Sequence, residues 1–305
     1  MDRTGRTAGV DVGGTKVAVG LLDGTTLSDS RLEPTAVDDP QALLDQIARM
    51  VRALGPVDGV GVGVPSVIRI ADGRVMSTTN IAAFRDVALR DALGERLGLP
   101  VHVDNDGNLA ALSEAWGDDL ELLHRSLVGV TVGTGIGSGI VLDGRPLHGA
   151  RTSAVELGHL TIAADPSTGA PAAGSAPLPT SLETWASGRA LDRLARERGY
   201  EDGMAVTDAA EAGEPSAIEA LAILGERVGI GIAAAITLIE PEVVVVGGGV
   251  SRAGELLVGP ARAAARRLLL PGLGSETEIR VAQHGPQAGV RGAALLARIE
   301  ETRTR

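Results

Sequence analysis

Cysteine is absent from the 305-residue chain, which excludes disulfides, thiolate nucleophiles and every cysteine-ligated zinc or iron–sulfur site. Aromatic residues are nearly absent too. One Phe, one Tyr and two Trp cannot build a base-stacking platform, so the core must be drawn from Val, Leu, Ile and Ala. Of 28 Lys and Arg residues only one, Lys16, is lysine, and no basic block offsets the net charge of −11. Such a surface repels phosphate backbones and anionic membranes, so neither nucleic acid nor membrane is an expected partner. The longest near-apolar run, residues 228–239, falls short of the ~20 residues that a bilayer span requires. It reads as part of a buried helix over 215–239. No apolar leader follows Met1, and the expected compartment is the cytoplasm.

What is present is a mixed α/β pattern, long enough for two lobes of about 100 to 200 residues each. Apolar runs at 7–12 and 16–22 flank Gly13-Gly14-Thr15, the pattern of two strands joined by a glycine turn. A helix follows Pro40, a strand covers 57–64, another helix spans 87–97, and a strand at 101–103 leads into a helix at 109–116. A second strand, glycine turn and strand runs through Gly133-Thr134-Gly135-Ile136-Gly137 to 142. Residues 163–180 are a Pro-, Gly-, Ala- and Ser-rich loop, helical spacing resumes at Leu182, Trp185, Leu191 and Leu194, and an apolar strand at 243–246 ends on Gly247-Gly248-Gly249. A helix at 288–299 follows.

Glycine turns let backbone N–H groups approach phosphate oxygens without interference from Cβ, and Thr15 and Thr134 add hydroxyl donors. Either turn alone is equally an ordinary hairpin. Neither follows the Walker A pattern or the strand-to-helix placement of a dinucleotide fingerprint. Their order distinguishes them: Asp11 enters the first turn, Asp104-Asn105-Asp106 follows a strand, and the second turn and the triple glycine come after. Asp106 also suits a helix N-cap, His159 a satisfied core histidine, and Glu183 a first-turn glutamate.

The segments Asp11-Val12-Gly13-Gly14-Thr15-Lys16, Asp104-Asn105-Asp106-Gly107-Asn108, Gly133-Thr134-Gly135-Ile136-Gly137, Glu156-Leu157-Gly158-His159 and Val246-Gly247-Gly248-Gly249-Val250 resemble the successive signatures of the ROK family of sugar kinases. The resemblance spans nearly the whole chain. It implies a two-lobed actin-like ATPase fold, ribonuclease H-like, with a central interlobe cleft. The lobes would be 1–112 with the C-terminal helix 288–305, and 113–287. It implies ATP-dependent phosphorylation of a hexose at its 6-hydroxyl, with Asp106 as general base and Asn80, Asn105, Glu156, His159 and Glu183 on the other hydroxyls. ATP would be held by Asp11, Gly13, Gly14, Thr15, Lys16, Gly133, Thr134, Gly135, Gly137, Gly247, Gly248 and Gly249, with Mg²⁺ on Asp11 through water. A homodimer is compatible with the resemblance.

The chain departs from the family in three places. Most members carry a cysteine-rich zinc knuckle between the His159 segment and Glu183, so no bound zinc is expected here, with His148 and Asp165 the nearest substitute ligands. Ser66 and Val155 stand where the family has glycine, which leaves open an amino sugar of the N-acetylmannosamine, N-acetylglucosamine or kanosamine type. The missing cysteines also leave open a polyphosphate donor and a non-catalytic sugar sensor. The repressors of the family carry a DNA-binding segment well ahead of the first glycine turn, and here Asp11 is expected to lie too early for one.

Overall fold

The computed structural model describes residues 4–78, 81, 84–150, 155–163 and 178–304. The elements begin β1 (Arg6–Val12), β2 (Lys16–Asp23), β3 (Thr26–Leu27), β4 (Arg31–Pro34), α1 (Pro40–Arg52), β5 (Gly59–Val64), β6 (Ser66–Arg69), β7 (Arg74–Thr78) and β8 (Val87–Ala88). They continue with α2 (Leu89–Leu97), β9 (Val101–Asn105), α3 (Asp106–Ala115), β10 (Ser126–Val132), β11 (Ile136–Leu142), β12 (Arg145–Pro146), α4 (Leu182–Ala186), α5 (Gly188–Glu197) and α6 (Gly203–Glu211). The last are α7 (Pro215–Ile239), β13 (Val243–Gly247), α8 (Glu255–Leu268), β14 (Glu278–Val281) and α9 (Ala288–Thr304).

Contacts group the chain into two units, one of Met1–Arg125, Gly139–Val155 and Pro286–Arg305, the other of Ser126–Ser138 and Glu156–Gly285. A division at 112/113 would cut through α3, which packs against α9 and therefore stays whole within the first unit.

The first unit is built on a sheet of order β3-β2-β1-β5-β9, with β4 also paired to β2. β1 and β2 form the antiparallel hairpin, and β5 runs parallel to both β1 and β9. The alternation along β5, Gly-Val-Gly-Val-Gly-Val, sorts the two faces, because successive side chains of a strand point to opposite sides. Val60, Val62 and Val64 join Val10 and Val12 in an aliphatic core with Leu43, Leu44, Ile47 and Val51 of α1 and Leu89 and Leu93 of α2. Gly59 and Gly61 face α9, and Gly63 faces Leu109 of α3. A Cβ on Gly61 would lie 1.8 Å from the Ala293 carbonyl oxygen, and one on Gly9 1.9 Å from that of Val290, so helix and sheet meet backbone to backbone. Thr7 Oγ1 donates to the Ala294 carbonyl at 2.9 Å. Arg298, 2% exposed, extends from the same helix to donate to the carbonyls of Gly5, Leu22 and Gly24. A chain this poor in aromatics thus gains close packing from small residues.

In the second unit β10, β13 and β14 run parallel, with Leu127 opposite Val243 and Val244 opposite Ile279. The helix at 215–239 is present as α7. As a whole it is long and apolar enough to cross a bilayer, but half of its apolar window is buried. It packs against α4, α5, α6 and α8, the placement of a core helix. Helical spacing from Leu182 resolves into two helices, α4 and α5, that break at Ser187.

Candidate active site

In the first unit the register places Asp11 opposite Gly63 and Gly63 opposite Asp104. Asp11 and Asp106 therefore lie toward the carboxyl ends of parallel strands, the edge at which open α/β sheets bind ligands. Gly63 lets α3 pack close to the sheet: a Cβ there would sit 2.9 Å from the Leu109 Cδ1 and 3.8 Å from the Asp106 Cα. Asp106 is the first residue of α3, and the cap is Asn105, whose Oδ1 accepts from the N–H groups of Gly107 at 2.8 Å and Asn108 at 3.3 Å. Asp106 is thus relieved of the capping role that its position suggested. Its Oδ1 accepts from Gly107 N–H at 2.9 Å, and the helix N-terminus favours the ionised carboxylate. Asn105 also donates from Nδ2 to the Ser66 carbonyl at 3.2 Å, so the side chain expected on the sugar already makes three internal bonds.

The first glycine turn closes with Gly13 N–H donating to the Lys16 carbonyl at 2.9 Å, and Thr35 Oγ1 donates to the Gly13 carbonyl at 2.7 Å. Burial pushes the Asp11 carboxyl up to about 7, with the Asp106 charge adding to the rise and the Lys16 ammonium opposing it. A buried carboxylate beside a second carboxylate marks a site short of positive charge. Among the described residues no group of three His, Asp or Glu side chains could enclose a metal. The donor set therefore fits a hard cation held by one carboxylate and the oxygens of a phosphate ligand, the habit of Mg²⁺.

In the second unit Gly133 N–H donates to the Gly135 carbonyl at 3.0 Å, closing the second turn. Glu183, in the first turn of α4, accepts from Ile136 N–H through Oε2 at 2.9 Å. The close approach needs glycine at 135, where a Cβ would lie 2.4 Å from that oxygen. Ser138 Oγ accepts from Leu157 N–H at 3.0 Å and anchors the short 3₁₀ turn that carries His159. The surrounding protein displaces water from the Glu156 carboxyl and raises its pKa; His159 opposes the rise and Glu183 adds to it. Glu156, His159 and Glu183 thus share one electrostatic neighbourhood.

A groove of about 270 Å³ in the same unit is lined by Gly133, Thr134, Gly188, Arg189, Gly249 and Val250, among others. Gly133 and Gly249 face open space at their Cβ positions, so a flat ligand can lie on bare backbone. Gly188 donates to the Gly133 carbonyl at 2.7 Å. It lies five residues after Glu183 in the same sequence segment, a proximity that could have flagged it. Arg189 and Thr207 line the groove without any sequence signal. Asn80 and Asp165 lie outside the described residues, as does most of the 163–180 loop.

The sequence matches the ROK family over residues 7–300. The chain belongs to the ROK family. It is 33% identical to a glucokinase of Halalkalibacterium halodurans over 96% of this chain and 95% of that one. It is 34% identical to an N-acetyl-D-glucosamine kinase of Photobacterium profundum over 94% and 98%. Among solved structures it is similar to a ROK glucokinase from Streptomyces griseus in complex with glucose and AMPPNP, with a TM-score of 0.80 and 31% identity over 97% of this chain and 100% of that one. The architecture is the two-lobed actin-like ATPase fold of ROK sugar kinases. Within this ROK chain the departure at Val155 has a visible cost: its φ is +80°, a conformation that glycine adopts freely and a β-branched residue does not. Ser66, the other departure, donates to the Ser77 carbonyl. His148, one of the two substitute zinc ligands, is bonded to Asp104.

Proposed function

We propose that this ROK protein is an ATP-dependent sugar kinase that phosphorylates a hexose at its 6-hydroxyl, with Asp106 as general base. The observation that carries the reading is Asp106 itself, a carboxylate at the start of α3, freed from capping by Asn105 and in electrostatic contact with Asp11. The proton of the hydroxyl passes to Asp106 as the hydroxyl oxygen bonds to the γ-phosphorus and the bond to the β-phosphate bridging oxygen breaks, leaving ADP. The glycine turns at 13–15 and 133–137 offer N–H donors to the phosphates, and the groove over Gly249 takes the adenosine. Asp11 would hold Mg²⁺ through water, and the ion would neutralise charge on the phosphates. Glu156 and His159 read sugar hydroxyls, each of which both donates and accepts.

A second reading, an N-acetylated amino sugar as acceptor, is favoured by the strained backbone of Val155 immediately before Glu156. ADP release measured across glucose, mannose, N-acetylglucosamine, N-acetylmannosamine and kanosamine decides between the two. The hexose reading requires glucose or mannose to give the highest kcat/KM. Turnover with polyphosphate in place of ATP would change the donor, and sugar binding without turnover would make the protein a sensor.

Two further expectations arise here. The folded-state pKa of Asp11 lies near 7 against an ordinary 3.8, so the folded protein holds more protons between those values. The charge on Asp11 therefore lowers stability progressively as pH rises from about 4 through 7. Asp11→Asn is expected to raise the unfolding free energy at pH 8 by about 1 to 3 kcal/mol, with no gain near pH 4, while raising the KM for Mg·ATP about tenfold or more. Thermal unfolding at the two pH values checks the first part, and steady-state kinetics the second. For the zinc-knuckle departure, metal analysis after dialysis against a mild chelator is expected to find no stoichiometric zinc; retained zinc would overturn that expectation.

A further inference from the structure

Asp104 is 1% exposed, and a buried carboxylate needs a partner for its charge. Its Oδ1 accepts from Asn105 N–H at 2.7 Å and from Asn108 Nδ2 at 2.9 Å. Those two residues flank Asp106, one capping α3 and the other lying in its first turn, and Asn108 is itself fully buried. The other oxygen, Oδ2, lies 2.6 Å from Nε2 of His148, which stands just after β12 on the wall of a cavity of about 540 Å³. The groups facing this cavity are Asp104 and His102 of β9, Arg90 of α2, Arg145 of β12 and Glu300 of α9. Arg145 is paired with Glu300, His102 with Glu301, and Arg90 donates to the carbonyls of Ile70 and Ala71. His148 is therefore the group that meets the Asp104 charge.

We propose that His148 and Asp104 are a positioning pair for the base: His148 compensates the buried carboxylate, and the carboxylate clamps Asn105 and Asn108 on either side of Asp106. Burial disfavours the imidazolium, but the hydrogen bond to Asp104 and the charges of Asp104 and Glu300 outweigh it and raise the His148 pKa above its ordinary value. Without His148 the buried carboxylate loses the partner for its charge, which weakens its hold on the first turn of α3. A displacement of the base by a fraction of an ångström slows transfer without removing any sugar contact.

The proposal rests on the reading of Asp106 as base, and the experiment separates the two. His148→Ala, His148→Gln and Asp104→Asn are each made alone and in an Asp106→Asn background, with kcat and sugar KM measured and folding checked by thermal unfolding. His148→Ala is expected to lower kcat about ten- to a hundredfold, with sugar KM changed less than about threefold. His148→Gln, which keeps a neutral donor, should recover part of the loss, and none of the three should reduce kcat further in the Asp106→Asn background. Should His148→Ala not fold, the Gln and Asn variants carry the same comparison. Unchanged kcat in the folded His148 variants, or an equal loss in both backgrounds, overturns the positioning role. Wild-type kcat in Asp106→Asn alone overturns the base assignment, and the positioning role with it.

Discussion

Asp106→Asn is expected to lower kcat for sugar phosphorylation by about 10²- to 10⁴-fold, the usual contribution of a positioned general base, with sugar KM changed by no more than a few fold. The substitution isolates the proton-accepting function because it leaves the local structure intact. Asn keeps an oxygen to accept from Gly107 N–H, as Asp106 Oδ1 does at 2.9 Å, and the start of α3 is secured by Asn105. Stability should therefore stay within about 0.5 kcal/mol of wild type. Coupled ADP-release kinetics and thermal unfolding of the same preparation test both halves. A well-folded variant with undiminished kcat would show that the proton goes elsewhere.

Gly61→Ala is expected to be among the most damaging single-methyl changes in the first unit, costing about 3 kcal/mol or more of stability. Overpacking a core costs about 1 to 3 kcal/mol when side chains can yield. Here the added Cβ would meet the Ala293 carbonyl oxygen at 1.8 Å, and a helix backbone has no alternative rotamer. Either α9 moves off the sheet, losing the Thr7 bond to Ala294, or β5 bends away from β1. The matched control is Gly133→Ala, where the added methyl enters open space and unfolding should be nearly unaffected. Chemical denaturation of both variants reads the difference, and equal midpoints would show that α9 is not seated as tightly as the geometry requires.

Much of this was legible because the signals are local. Apolar periodicity marked α7 to the residue, and glycine turns between apolar runs marked both hairpins. The expectation placed on residue 106 came from its order among the other segments, but the identity of the cap was not legible. Asn and Asp cap equally well, so sequence alone could not choose between positions 105 and 106. Helix α8 went unassigned because Pro260 interrupts it, a residue that normally ends a helical pattern. The glycine–valine alternation of β5 read as a strand, but its meaning depended on α9, more than two hundred positions later in the chain. The Asp104–His148 pair was hidden for the same reason, since its members are joined only by folding.

The seating of α9 on the glycine face also sets an order of assembly. Every residue of the second unit lies before position 286, so that unit can complete its contacts while the chain is still being synthesised. The first unit takes its last segment from Pro286–Arg305, and until that helix emerges one face of its sheet offers Gly9 and Gly61 to solvent with nothing to cover them. Contacts between such distant parts of the chain form slowly because a long loop must close first. The half of the protein that carries Asp106 is therefore begun first and finished last.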